Sequence, residues 1–90
     1  MTLIGKLIKD RRRVLQMEQK DLAKNLEVSV SYLWRLETGK DVLPLERVND
    51  LAYALDMPRD KIAAALYRDA IRKVKDRFRE DELKNRVILV

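Results

Sequence analysis

Ninety residues, with 20 Lys and Arg against 15 Asp and Glu and a formal charge of +5, make one small domain or a small domain with an extension. With no cysteine and no histidine, a disulfide framework, a thiolate metal site and histidine acid–base chemistry are all excluded. No apolar run approaches transmembrane length, and the opening "MTLIGKLIKDRRR" lacks the apolar stretch and small-residue cleavage site of a signal peptide, so no membrane partner is expected and the expected compartment is the cytoplasm.

Two glycines and two prolines leave little punctuation, and no sustained alternating run of Val, Ile and Thr precedes the last few residues, so the chain is expected to be all-α. A first helix is placed at Leu3–Gln16, with Ile4, Leu7, Ile8 and Leu15 inside and Lys6, Lys9, Arg11 and Arg13 outside. A second spans Gln19–Leu26, with Leu22, Ala23 and Leu26 at helical spacing. A third spans Val30–Thr38, with Ser29 as N-cap and Gly39 at its C-terminal stop. A fourth spans Pro44–Leu55. Pro44 suits only a first turn, and Val48, Leu51, Ala52 and Leu55 form the buried stripe. A fifth opens near Pro58 and meets no breaker until about Asn85. Along it Tyr67, Ile71, Val74 and Phe78 recur at steps of four, three and four, a heptad seam. A helix this long overhangs a small domain, and the seam is expected to bury itself against the same helix of a second subunit. The alternative is a break near Arg72 that folds the helix back on its own domain. The chain closes on "RVILV". Arg86–Val90 could pair as a strand with its symmetry mate, cap the seam as a last helical turn, or offer itself to another protein.

Two short helices joined by about three residues have the layout of a helix-turn-helix. The stretch "MEQKDLAKNLEVSVSYLWRLETGK" resembles the helix-turn-helix of the lambdoid phage repressor and Cro family, and the similarity extends over about Ile4 to Ile62. The resemblance implies a five-helix lambda-repressor-like domain, here with an extended C-terminal helix and a short apolar tail. It implies double-stranded DNA as partner and no cofactor. Three positions depart from the family pattern. Glu27 stands where the turn usually has glycine, Glu18 where the N-cap is usually Ser or Thr, and Arg11 where an apolar residue is usual.

At ~100° per residue, Leu33 and Leu36 define the inward side of the third helix, and Ser31, Trp34, Arg35 and Thr38 lie opposite. That outer side is the one that would enter a major groove. Trp34 could lie against thymine methyls and sugar edges, or tuck back against the first helix or a partner. Arg35 could pair with guanine O6 and N7, or clamp a phosphate, or pair with Glu37 or Asp41. The resemblance adds base contacts at Val30 and Ser31 and DNA-backbone contacts at Gln19, Thr38 and Lys40. Gln19 could equally be an exposed helix start, and Lys40 a surface lysine. The resemblance also implies a buried Arg12–Glu37 pair tying the first helix to the third. Arg11 and Arg13 flank that pair, either solvated or with one of them reaching DNA backbone.

The expected organisation is a DNA-binding domain over residues 1–66 and a dimerisation extension over 67–90. The expected function is a homodimeric, sequence-specific regulator of transcription, a repressor at an inverted-repeat operator. Two alternatives stand beside it: an antitoxin that represses its own operon and holds a toxin through its C-terminal part, and a protein-interaction adaptor that keeps the fold without the DNA role. With no histidine, cysteine or glycine-rich phosphate loop, and with carboxylates scattered along helix surfaces, an enzyme is not expected.

Overall fold

The computed structural model describes residues 2–84, and the apolar tail Arg86–Val90 lies outside them. The described residues form α1 (Leu3–Val14), α2 (Gln19–Leu26), α3 (Val30–Thr38), α4 (Val48–Ala54) and α5 (Arg59–Lys84), with a 3₁₀ turn at Leu45–Arg47 leading into α4.

Every helix starts with a free set of N–H groups that need acceptors. In α1 three of these are met by side chains. The Thr2 hydroxyl accepts from the Gly5 N–H at 3.0 Å, and the Asp69 carboxylate, reaching across from α5, accepts from the N–H groups of Leu3 and Ile4 at 2.8 and 3.0 Å. In α2 the unusual N-cap Glu18 is supported from the other side, because its own N–H donates to Asp21 at 3.0 Å, half of a reciprocal capping box. In α3 the Ser29 hydroxyl accepts from the Tyr32 N–H at 3.0 Å, as its position in the sequence implies.

The turn between α2 and α3 is left-handed at Glu27, with φ 57°. A side chain there is sterically strained, so the departure from glycine carries the cost its sequence suggests. Gly5 has a different reason. A Cβ at that position would lie 2.5 Å from the Glu37 carbonyl oxygen and 2.8 Å from that of Leu36. Its absence lets α1 cross directly over the end of α3.

Two helix boundaries fall inside the predicted ones by more than one residue. α1 stops at Val14, because Gln16 turns left-handed at φ 56° and the Met17 N–H closes on the Arg12 carbonyl at 2.9 Å. α4 starts at Val48 rather than Pro44. Pro44 is extended (φ −62°, ψ 145°), and its carbonyl accepts from the Arg47 N–H at 2.9 Å in the 3₁₀ turn. The Arg47 guanidinium donates to the Leu26 carbonyl, which ties that turn to the end of α2.

The core is built from Ile8, Leu22, Leu33, Leu36, Leu51, Leu55 and Ile62, all fully buried, so every helix contributes at least one. Of the four residues assigned to the inner face of α1, Ile4 and Ile8 are buried and Leu7 and Leu15 partly so. Glu37 is charged and only 3% exposed. Arg12 answers it through Nε and NH2 at 3.2 and 3.1 Å, and donates its NH1 to the Met17 carbonyl at 2.9 Å. A buried ion of either sign costs several kcal/mol unless it is paired and hydrogen-bonded, and both conditions are met here. Arg11 turns the other way. Its guanidinium donates to the carbonyls of Leu55 and Asp56 at 2.8 and 2.9 Å, satisfying acceptors at the C-terminal end of α4 that no helix bond can reach. This accounts for a cation where an apolar residue is usual, and it commits the side chain to the fold.

α5 begins in the core and leaves it. Ile62 and Ala65 are buried, whereas Tyr67, Val74 and Phe78 are 68, 67 and 69% exposed. The helix runs unbroken through Arg72 to Lys84, so the break and fold-back do not occur. Its 26 residues span ~39 Å at 1.5 Å each, against extents of 54 × 25 × 22 Å for the molecule. Among the described residues no helix is long and apolar enough to cross a membrane.

Candidate nucleic-acid interface

α3 is short, and its two sides differ sharply. Leu33, Leu36 and Glu37 are buried beneath it, while Ser31 and Arg35 are exposed and Val30 and Trp34 are each 45% exposed. The residues expected on a groove-facing side therefore share one solvent-facing surface. Trp34 does not tuck into the chain's own core. Its ring carries the Lys40 ammonium 4.8 Å above the centroid, within cation–π range. The expected base-contacting aromatic and the expected backbone-contacting cation are thus in contact with each other.

Thr38 is more committed than its place in the sequence suggests. Its hydroxyl donates to the Trp34 carbonyl at 2.9 Å, the usual back-bond of a helical threonine. To donate to a phosphate it must release that bond. Gln19 is the first residue of α2 and partly buried, at a helix N-terminus whose N–H groups and dipole favour an anion such as phosphate.

Arg35 is held from three directions. Gly39 reverses the chain with φ 79°, and the N–H groups of Lys40 and Asp41 then both donate to the Arg35 carbonyl, at 2.8 and 3.2 Å. This places the Asp41 carboxylate beside the Arg35 side chain, where Nε donates to it at 3.4 Å. The guanidinium carbon also lies 5.6 Å from the centroid of the Tyr32 ring, and the Tyr32 hydroxyl donates to the Val42 carbonyl at 3.4 Å. Burial first, and then the charge of Asp41, push the Tyr32 hydroxyl above its ordinary pKa, with Arg47 and Arg35 pulling the other way. Of the two ion-pair partners read for Arg35, Asp41 is the one it meets, because Glu37 is taken by Arg12. Tyr32 was not singled out by sequence. Its position beside the inward leucines makes it look like a packing residue, and only the reversal at Gly39 brings Val42 to it.

The second surface lies on the overhang of α5. Tyr67, Val74 and Phe78 are exposed and Ile71 is partly buried, at the heptad spacing of the sequence. The two surfaces are on different elements, α3 and the outer part of α5.

The sequence profile of the helix-turn-helix domain family matches residues 3–65. An uncharacterized transcriptional regulator in the ATPase CF(0) region of Rhodospirillum rubrum is 31% identical over 65 residues, which are 72% of this chain and 60% of that protein. Two solved structures are similar in fold. One is the restriction-modification controller protein C.AhdI from Aeromonas hydrophila, with TM-score 0.63 and 24% identity over 68% of this chain and 92% of that one. The other is the clp gene regulator ClgR from C. glutamicum, with TM-score 0.63 and 22% identity over 72% of this chain and 84% of that one.

Proposed function

The chain belongs to the helix-turn-helix domain family, and from that premise we propose that it is a homodimeric, sequence-specific DNA-binding regulator of transcription. One observation carries the reading. A nine-residue helix, capped at both ends, is anchored by fully buried leucines on one side and offers Val30, Ser31, Trp34 and Arg35 to solvent on the other. That is the construction of a helix laid into a major groove, with side chains at its outer face reaching base edges. Gln19 at the start of α2, with Thr38 and Lys40 at the end of α3, takes the phosphates on either side. Residues 1–66 form the DNA-binding part. Residues 67–90 hold two copies together through Tyr67, Ile71, Val74 and Phe78.

The dimer presents its two recognition helices to half-sites about one helical turn apart. Occupation of such an inverted repeat would block polymerase, so repression is the simplest outcome. Binding of this kind needs no cofactor, and the place of action is where the DNA is, in the cytoplasm. An adaptor would more naturally carry an acidic or apolar outer face on α3 than this basic and aromatic one.

The test uses the seam, because it links pattern to affinity. A single unit binds DNA non-specifically with a Kd of order 10⁻⁴–10⁻⁶ M, and joining two makes the second contact intramolecular, worth about 10²–10⁴-fold. Ile71→Asp with Phe78→Asp is expected to give a folded monomer that keeps its helix content but loses affinity by that factor. Light scattering and gel shifts with duplexes selected from a randomised pool read both quantities on one sample. A double mutant that stays dimeric would move the interface off the seam. A wild-type chain that selects no sequence from the pool would end the reading as a specific regulator.

A further inference from the structure

We infer that Asp41 is a specificity-determining residue that acts through Arg35, presenting its guanidinium to a base and withholding it from phosphate. The inference rests on the reading that Arg35 contacts a base edge.

Asp41 is placed by the backbone. The reversal at Gly39 sends the Asp41 N–H to the Arg35 carbonyl at 3.2 Å, so one residue grips both the main chain and the side chain of Arg35. The Asp41 carboxylate is itself oriented. Its Oδ1 accepts from the Val42 N–H at 2.8 Å, and its Oδ2 takes Nε of Arg35 at 3.4 Å. The guanidinium meanwhile lies over Tyr32 at 5.6 Å. A guanidinium has five donors in a fixed planar fork. A carboxylate on the Nε side leaves the NH1/NH2 end of that fork for an acceptor pair such as guanine O6 and N7. The pair is about 40% exposed on both sides, and an exposed ion pair adds little stability. Its consequence is therefore geometric. A long, flexible side chain is held in one orientation before DNA arrives, which lowers the ordering cost of a base contact.

The same carboxylate also sets a penalty. Phosphate bonding by Arg35 would bring an anion towards the Asp41 charge, whereas guanine presents neutral acceptors. Asp41 thus weakens the sequence-blind use of Arg35 and spares the sequence-reading one. Discrimination by repulsion of the wrong partner is a general route to specificity.

The experiment compares wild type, Asp41→Asn, Arg35→Ala and the double variant. Each is used to select from a randomised duplex pool, and each is then titrated with the selected duplex and with a scrambled one over a salt series. Asp41→Asn keeps size and polarity at a partly exposed loop position, and circular dichroism confirms the fold. It is expected to lower the ratio of selected to scrambled affinity by about tenfold, part of what one bidentate base contact provides. The loss should fall at one base position, the same one that Arg35→Ala erases. It should also steepen the salt dependence on scrambled DNA by about one unit, the signature of one added phosphate contact. The double variant should lose no more selectivity than Arg35→Ala alone. An Asp41→Asn protein with undiminished preference at that position, or one weakened equally on both duplexes, overturns the role of Asp41 while leaving base reading by Arg35 intact. An Arg35→Ala protein with unchanged selectivity overturns base reading by Arg35 and, with it, the role of Asp41.

Discussion

Ile62 is fully buried, and Phe78, about four turns further along the same helix, is 69% exposed. Both lie on apolar stripes of similar spacing. The difference is in what stands opposite. The first part of α5 packs on α1 and α4, and Asp69, about two turns after Ile62, is bonded to the start of α1. Further along, the helix carries its stripe into solvent, with Ile71 still partly buried and Val74 and Phe78 exposed. Periodicity in a sequence therefore identifies a stripe but not its cover. The cover has to be inferred from length, which is why a fifth helix too long for its domain was the informative feature. A helix that is mostly charged with a narrow apolar seam needs either side-chain pairs along its surface or a second chain.

The sharpest way to break this comparison is to shorten one residue on each side of the boundary. Ile62→Ala is expected to cost about 2–5 kcal/mol, the range for emptying a tightly packed site. Phe78→Ala, measured in urea below the concentration at which dimers form, is expected to change stability by no more than about 0.5 kcal/mol, as at an ordinary surface position. At higher concentration the Phe78→Ala protein should lose the rise in Tm with concentration that association confers on the wild type. Equal losses for the two variants in the monomer would mean that the outer part of α5 is supported by its own domain.

The boundary itself has a smaller effect. Asp69 supplies acceptors for two N–H groups of α1 and a negative charge at the positive end of its dipole. Asp69→Ala is expected to cost about 1 kcal/mol, the usual loss for a helix cap. The amides of Leu3 and Ile4 should exchange faster with solvent while those in the middle of α1 stay protected. Unchanged exchange at these two amides would show that the carboxylate is replaceable by water.

These ties also mark the limit of what local sequence encodes. The positions of α2 and α3, the Ser29 cap, the left-handed Glu27 and the Arg12–Glu37 pair were all legible, because each is announced by residue type within a short segment or by the family resemblance. Arg11 bonds carbonyls 44 and 45 residues away, and Asp69 bonds amides 66 and 65 residues away. No local pattern announces such partners, and a charged residue on a helix surface reads as solvated. The outer face of α3 was legible as a face. The arrangement upon it was legible only in part: Asp41 stood with Glu37 among the partners open to Arg35, but Lys40 over Trp34 had no local signal, since its place depends on the angle at which the chain leaves Gly39.

The smallest expected effect probes that exit from α3, the part of the domain most unlike the overhang. Tyr32 is partly buried, and its hydroxyl is held above its ordinary pKa of 10.0, first by burial and then by the Asp41 carboxylate. A raised acid keeps its proton in the folded protein where the unfolded chain has already lost it. The unfolded state then binds fewer protons, so stability falls as pH rises. The contribution is complete below the unfolded value of 10.0 and is lost as pH climbs through the folded one. Tyr32→Phe removes the titrating group but keeps a ring beneath Arg35. At neutral pH it should cost little, since the hydroxyl's bond to Val42 is long at 3.4 Å. Urea unfolding from about pH 8 to about pH 11, spanning the ordinary tyrosine range, should show wild type losing ground to Tyr32→Phe above pH 10. Lysines titrate in the same range but are common to both proteins and cancel in the difference. Curves that fall in parallel would mean that Tyr32 gives up its proton as readily folded as unfolded, and that the ring is not packed between Arg35 and the chain beyond Gly39.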